Sequence, residues 1–197
     1  LGRILSWQEV VYSEDKLPGW LQDSLINCLS LLPQCYLWMK SADPKHWWGE
    51  EGMFSGNEGF IMCPQQSCLG SEWIGEWPID MFFPKLAVMK FKAFKHYQKP
   101  DGQCPSTLGG GSDADKPWYN QQISLDGEYY VEILGRAWQI TGDDSILAAY
   151  YPSIKAQMHF NMTTDDDGDG LVDVRSGYKG FASSQYYDGW TPRTGAA

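Results

Sequence analysis

Two acidic residues of this chain sit in settings where a carboxylate could react. Glu58 lies in Phe54-Ser55-Gly56-Asn57-Glu58-Gly59-Phe60, between glycines that let backbone approach closely. A carboxylate held beside glycines in a long aromatic loop suits a glycosidase nucleophile or base; the alternative is an ordinary solvated surface charge. Asp188 lies in Gln185-Tyr186-Tyr187-Asp188-Gly189-Trp190. Partial desolvation by the rings would raise its pKa and keep it protonated near neutral pH, as a general acid requires. Equally, an Asp before Gly189 can cap a turn.

A third run, Asp165-Asp166-Asp167-Gly168-Asp169-Gly170-Leu171-Val172-Asp173, places acids at alternate positions ahead of Gly170 and an apolar residue. Its first eight positions match a calcium loop, with Asp165, Asp167 and Asp169, and Asp173 at the ninth position, as candidate oxygen donors. Ser176 stands where the bidentate Glu of a regulatory site belongs. A structural calcium site and a metal-free acidic turn both remain open. His46, His96 and His159 are isolated, and His159, on a helix, reads as a packed or solvated residue. No nucleophile elbow, phosphate-binding glycine loop or His-Glu-x-x-His zinc motif occurs.

The composition narrows the partners. The net charge is −10 over 197 residues, and no basic stripe follows any helix, which argues against nucleic acid. No apolar run reaches the roughly 18 residues of a membrane span. The 10 Trp and 11 Tyr are concentrated in loop-like runs such as Trp47-Trp48, Trp118-Tyr119 and Tyr186-Tyr187. Such rings suit a pocket that stacks on sugar faces, or they fill a helical core. Cys28, Cys35, Cys63, Cys68 and Cys104 are odd in number and form no zinc pair. They read first as buried reduced residues, with a Cys63–Cys68 bridge as the alternative.

The elements that must carry these groups read as mostly helical. Leu17, Trp20, Leu21, Leu25, Cys28, Leu29 and Leu32 make an apolar stripe that predicts a helix over 17–32, stopped by Pro33. Residues 35–39 are a short apolar run, read as a strand, and 41–72 read as a long functional loop. A second helix is predicted over 73–98, kinked or started late by Pro78 and Pro84, followed by a loop over 99–122 with Gly109-Gly110-Gly111 as a flexible turn. Helices over 125–141 and from Asp143 or Asp144 to about 162 form an αα-hairpin through Gly142, and 163–197 reads as loop. The start at Leu1 and the stop at Ala197 predict a piece of a longer chain: one domain over 1–197, incomplete at its C-terminus.

Several segments together resemble one family, the glycoside hydrolases of bile-acid β-glucosidase and non-lysosomal glucosylceramidase. Leu17-Pro18-Gly19-Trp20-Leu21 continuing to Asn27 and Trp38, Glu58-Gly59, Phe82-Phe83-Pro84-Lys85-Leu86, Thr141-Gly142-Asp143 with Tyr151-Pro152, Asp165 to Asp173, and Gln185 to Trp190 occur in the family's order. The chain departs from the pattern where Leu69-Gly70 replaces an aspartate, with Glu72 and Glu76 nearby, and where Pro105-Ser106-Thr107 lacks a sugar-contacting histidine. The resemblance implies an all-α fold, part of an (α/α)6 toroid, that hydrolyses a β-linked glycoside with retention. It implies Glu58 as nucleophile and Asp188 as acid/base, with carboxyl groups roughly 5–5.5 Å apart, against roughly 6.5–9.5 Å for inversion. Tyr186 and Trp190 would shape the sugar pocket, with Gln185 and Glu72 as further substrate contacts. The expected partner is a carbohydrate or glycoside. No organic cofactor is called for, and structural calcium is the one ion the sequence suggests. The alternatives are an inverting α-glucosidase or trehalase-like toroidal hydrolase, and a non-catalytic carbohydrate-binding module.

Overall fold

In a computed structural model, the described residues are 2–30, 36–40, 52–56, 67–110, 113–119, 126–163, and 165, 168 and 170. Helix α1 spans Gly2–Tyr12 and α2 spans Gly19–Asn27, closed by a 3-10 turn over Cys28–Ser30. Pro18 is the extended cap of α2 rather than part of its first turn. The predicted stripe is not a buried face: Trp20 is exposed, and Ile26 is the buried residue of α2. Gln22 joins the two helices by donating to the Glu14 carbonyl at 2.7 Å.

The expectation of an all-α toroid fails against two antiparallel sheets. Strand β1 (Tyr36–Met39) pairs with β2 (Met53–Gly56), with Tyr36 opposite Gly56 and Trp38 opposite Phe54. Strands β3 (Ser67–Cys68), β4 (Thr107–Gly110) and β5 (Asp113–Trp118) form a second sheet in the order β3-β4-β5. Both sheets arise largely where loops were expected. Of the glycines that read as a flexible turn, Gly109 and Gly110 instead belong to an irregular strand: Gly109 has φ 75°, and the register shifts between Leu108 and Gly110. A glycine in that conformation lets a strand bulge without ending it.

The predicted 73–98 helix is four short ones: α3 (Leu69–Gly75), α4 (Trp77–Phe82), α5 (Pro84–Ala87) and α6 (Phe91–His96). Pro78 and Pro84 fall in the first positions of α4 and α5. Proline starts helices there because its missing N–H would have no partner anyway. Helices α7 (Asp126–Thr141) and α8 (Asp144–Met162) form the expected hairpin. Gly142 turns the chain at φ 63°, and Asp143 caps α8 by accepting from the Ser145 N–H at 3.0 Å.

The main core lies between α6, α7, α8 and β4. Phe91, Phe94, Leu108, Tyr130, Ile133, Leu134 and Ala137 are fully buried in it, and Phe91 meets Tyr130 edge-on at 5.4 Å. A smaller cluster of Phe54, Ile79, Ala87 and Met89 joins β2 to α4 and α5. The ion network described next lies where β2, α3, α4, α6 and α7 meet.

Candidate functional site

Glu72, Glu76 and Asp80 recur at four-residue spacing across α3 and α4. That spacing repeats one face of a helix. All three are buried, at 5 %, 2 % and 0 % exposure. A carboxylate without water needs a partner. Lys90, at the start of α6, and Arg136, on α7, supply the partners and are themselves buried. The Lys90 ammonium pairs closely with Glu76 and lies 3.1 Å from a Glu72 oxygen. Arg136 pairs closely with Asp80, donates to the Trp73 carbonyl at 3.3 Å, and stacks 4.1 Å from the centre of the Trp77 ring.

The strands complete the enclosure. The Ser67 hydroxyl of β3 donates to Glu72 at 2.8 Å. The Tyr36 hydroxyl of β1 bonds to Glu76. Opposite Tyr36, Gly56 ends β2 so close that an added Cβ would stand 3.5 Å and 3.6 Å from oxygens of Glu72 and Glu76. Tyr36 in turn stacks on Phe54 at 5.1 Å, so an aromatic layer backs the carboxylates.

Three carboxyls face two permanent cations, and the electrostatics follow. Burial raises the pKa of Glu72 to about 8, opposed by Lys90 and reinforced by Glu76. Burial also raises Glu76 and Asp80, each held back by its own cation, Lys90 and Arg136. Burial pulls the Lys90 pKa down, but the two glutamates outweigh it and hold the pKa above the ordinary lysine value. The arrangement is a lysine locked as a cation beside a carboxyl able to hold a proton near neutrality. On α7, burial also pushes Glu128 up to about 7, and one of its oxygens lacks a hydrogen bond.

No family model and no curated protein matches this chain.

Of the residues singled out in the sequence, Glu72 belongs to this network. Glu58, Gln185, Tyr186, Asp188 and Trp190 lie outside the described residues, and with them the separation of the two expected catalytic carboxyls. Glu58 follows Gly56 by two positions in the sequence. Asp165 accepts from the Gly168 and Gly170 N–H groups at 2.8 Å and 2.9 Å, one with each oxygen. Asp167, Asp169 and Asp173 lie outside the described residues, as does Cys63 and so any Cys63–Cys68 pairing. Among the described residues no group of three His, Cys, Asp or Glu could hold a metal ion, and no helix is long and apolar enough to cross a membrane. His159 lines an open cleft of about 570 Å³ with Lys99, Asp101, Gln103 and Phe160, none of which belongs to the ion network.

Lys90, Asp80, Arg136 and Tyr36 carry the network and were not singled out in the sequence. The available signal was spacing. Lys90 shares a helical face with buried Ala87, Ala93 and Phe94, and a cation on an apolar face must find an acid. The four-residue repeat of acids from Glu72 to Asp80 would have supplied it.

Proposed function

We propose that this chain is part of a glycoside hydrolase that cleaves a β-linked glycoside with retention, with Glu58 as nucleophile and Asp188 as acid/base. The observation supporting this reading is the enclosure of Glu72 and Glu76 against Gly56. The strand that leads toward Glu58 ends on a buried, proton-holding carboxyl pair backed by aromatic rings. Retaining chemistry needs one carboxylate to attack the anomeric carbon while an acid protonates the leaving oxygen and later deprotonates water. In this proposal the glutamate–lysine network fixes the end of β2 and sets the electrostatic background of that attack. Sugar-stacking rings, Tyr186 and Trp190 foremost, complete the pocket.

Covalent trapping tests the proposal. The full-length protein is treated with a fluorinated or epoxide β-glucoside analogue, and the labelled peptide is mapped by mass spectrometry. A label on Glu58 is the expected result. A label on Glu72 or Glu76 keeps retention and moves the nucleophile. Turnover without a label points to an inverting hydrolase. Neither label nor turnover abandons catalysis.

The pairing of Glu76 with Lys90 and of Asp80 with Arg136 favours a second reading, a non-catalytic carbohydrate-binding module in which these acids only brace the scaffold. Sugar binding that survives joint loss of Glu58 and Asp188 is its signature.

A further inference from the structure

Among the described residues, the charges of the buried network do not balance. Glu72, Glu76 and Asp80 would carry three negative charges against one each on Lys90 and Arg136, all five groups being 5 % exposed or less. An uncompensated charge in that setting costs several kcal/mol, whereas one bound proton removes it. The contacts show where a proton is tolerated best. Asp80 is committed to Arg136, and Glu76 has both the close Lys90 pair and the Tyr36 hydroxyl. Glu72 has the Ser67 hydroxyl on one oxygen; its other oxygen lies 3.1 Å from Lys90 without a well-directed hydrogen bond.

We propose that Glu72 carries the missing positive charge as a bound proton, and that this proton is a pH-sensitive latch holding α3 against β2, β3 and the start of α6. The groups facing it are Tyr36 from β1, Ser67 from β3, Glu76 at the α3–α4 junction, Asp80 from α4, Lys90 and Arg136; β2 presents Gly56. Loss of the proton leaves two adjacent glutamates sharing one lysine, and their repulsion loosens the junction.

The direction follows from linkage. The Glu72 pKa rises from 4.5 to about 8, so the folded chain binds more protons than the unfolded one between those values. Its contribution to stability therefore falls as pH rises through that window and is level above it. The latch is read through stability alone, so its failure and that of the glycosidase reading are separate events.

Thermal unfolding of the intact chain and of Glu72→Gln, from roughly pH 5 to pH 9, tests it. The amide has the shape of the protonated acid and cannot ionise. The midpoint of the variant is expected to gain on the unsubstituted protein by several degrees as pH rises. A constant difference between the two across the range overturns the proposal. If Glu72→Gln does not fold, the infrared carboxyl band decides in a Glu128→Gln background, where Glu128 cannot contribute. A protonated, solvent-shielded band at neutral pH that fades toward pH 9 supports the latch, and carboxylate bands alone overturn it.

Discussion

Lys90 is 1 % exposed and faces two glutamates, so replacing it leaves Glu76 charged without its partner and Glu72 without its neighbouring cation. Breaking a buried pair costs about 3–5 kcal/mol because the remaining charge has neither water nor partner. Lys90→Met should therefore lower stability by about that amount in urea unfolding at neutral pH. The loss should shrink toward pH 5, where the orphaned carboxyls take up protons. A cost under about 1 kcal/mol would show that the network adds little. At this scale the sequence was half legible. It drew attention to Glu72 and Glu76 as acids near the site, but not to their partners. Lys90, Lys92 and Lys95 lie within six residues, and only the spacing of Lys90 from Ala87, Ala93 and Phe94 marks it as the one that turns inward. Glu72 and Glu76, from a separate segment of the chain, hold it there.

At the scale of elements, turns decide what forms. Asp143 caps α8 through the Ser145 N–H, and this bond holds its pKa below the usual carboxylate value. A depressed folded pKa means stability that is present above the unfolded pKa and lost as pH falls through the folded one. Asp143→Ala should lower the thermal midpoint at neutral pH and cost nothing in strong acid, as calorimetry at the two pH values would reveal. Gly102 poses a harder constraint. Its φ is 99°, and an added Cβ would lie 2.1 Å from the Ala156 carbonyl oxygen of α8. The backbone strain alone is worth about 1–3 kcal/mol. Gly102→Ala should thus be more damaging than Asp143→Ala in the same calorimeter, and the reverse ranking would refute the close approach. The α7–α8 hairpin was readable because Gly142-Asp143 combines a stop with a cap and both helices run long. The sheets were not. Ser67–Cys68 is too short for any alternation, and the Thr107–Gly110 strand carries two glycines, so pairing partners far along the chain override weak local preference.

Over the whole molecule, burial is uneven. Phe94, Tyr130 and Leu134 are fully enclosed, while no residue of α1 is buried. Backbone amides in α7 and α8 should therefore exchange only on global unfolding, and those of α1 by local fraying. Phe94→Ala, a large-to-small change in the core, should cost about 3–5 kcal/mol. In hydrogen-exchange mass spectrometry it should speed α7 and α8 together and leave α1 unchanged. Faster exchange confined to α6 would mean that the core is not one cooperative unit.

The sheet that replaced an expected loop has one further consequence. Among the described residues β5 has a single neighbour, β4, and so stands at the edge of its sheet. Such a margin invites a strand from another molecule. Along Asp113–Trp118 the invitation is weakened by the charge of Lys116 and by a proline, Pro117, that has no N–H to offer. Pro117, which would spoil a central strand, here guards the chain against sticking to copies of itself.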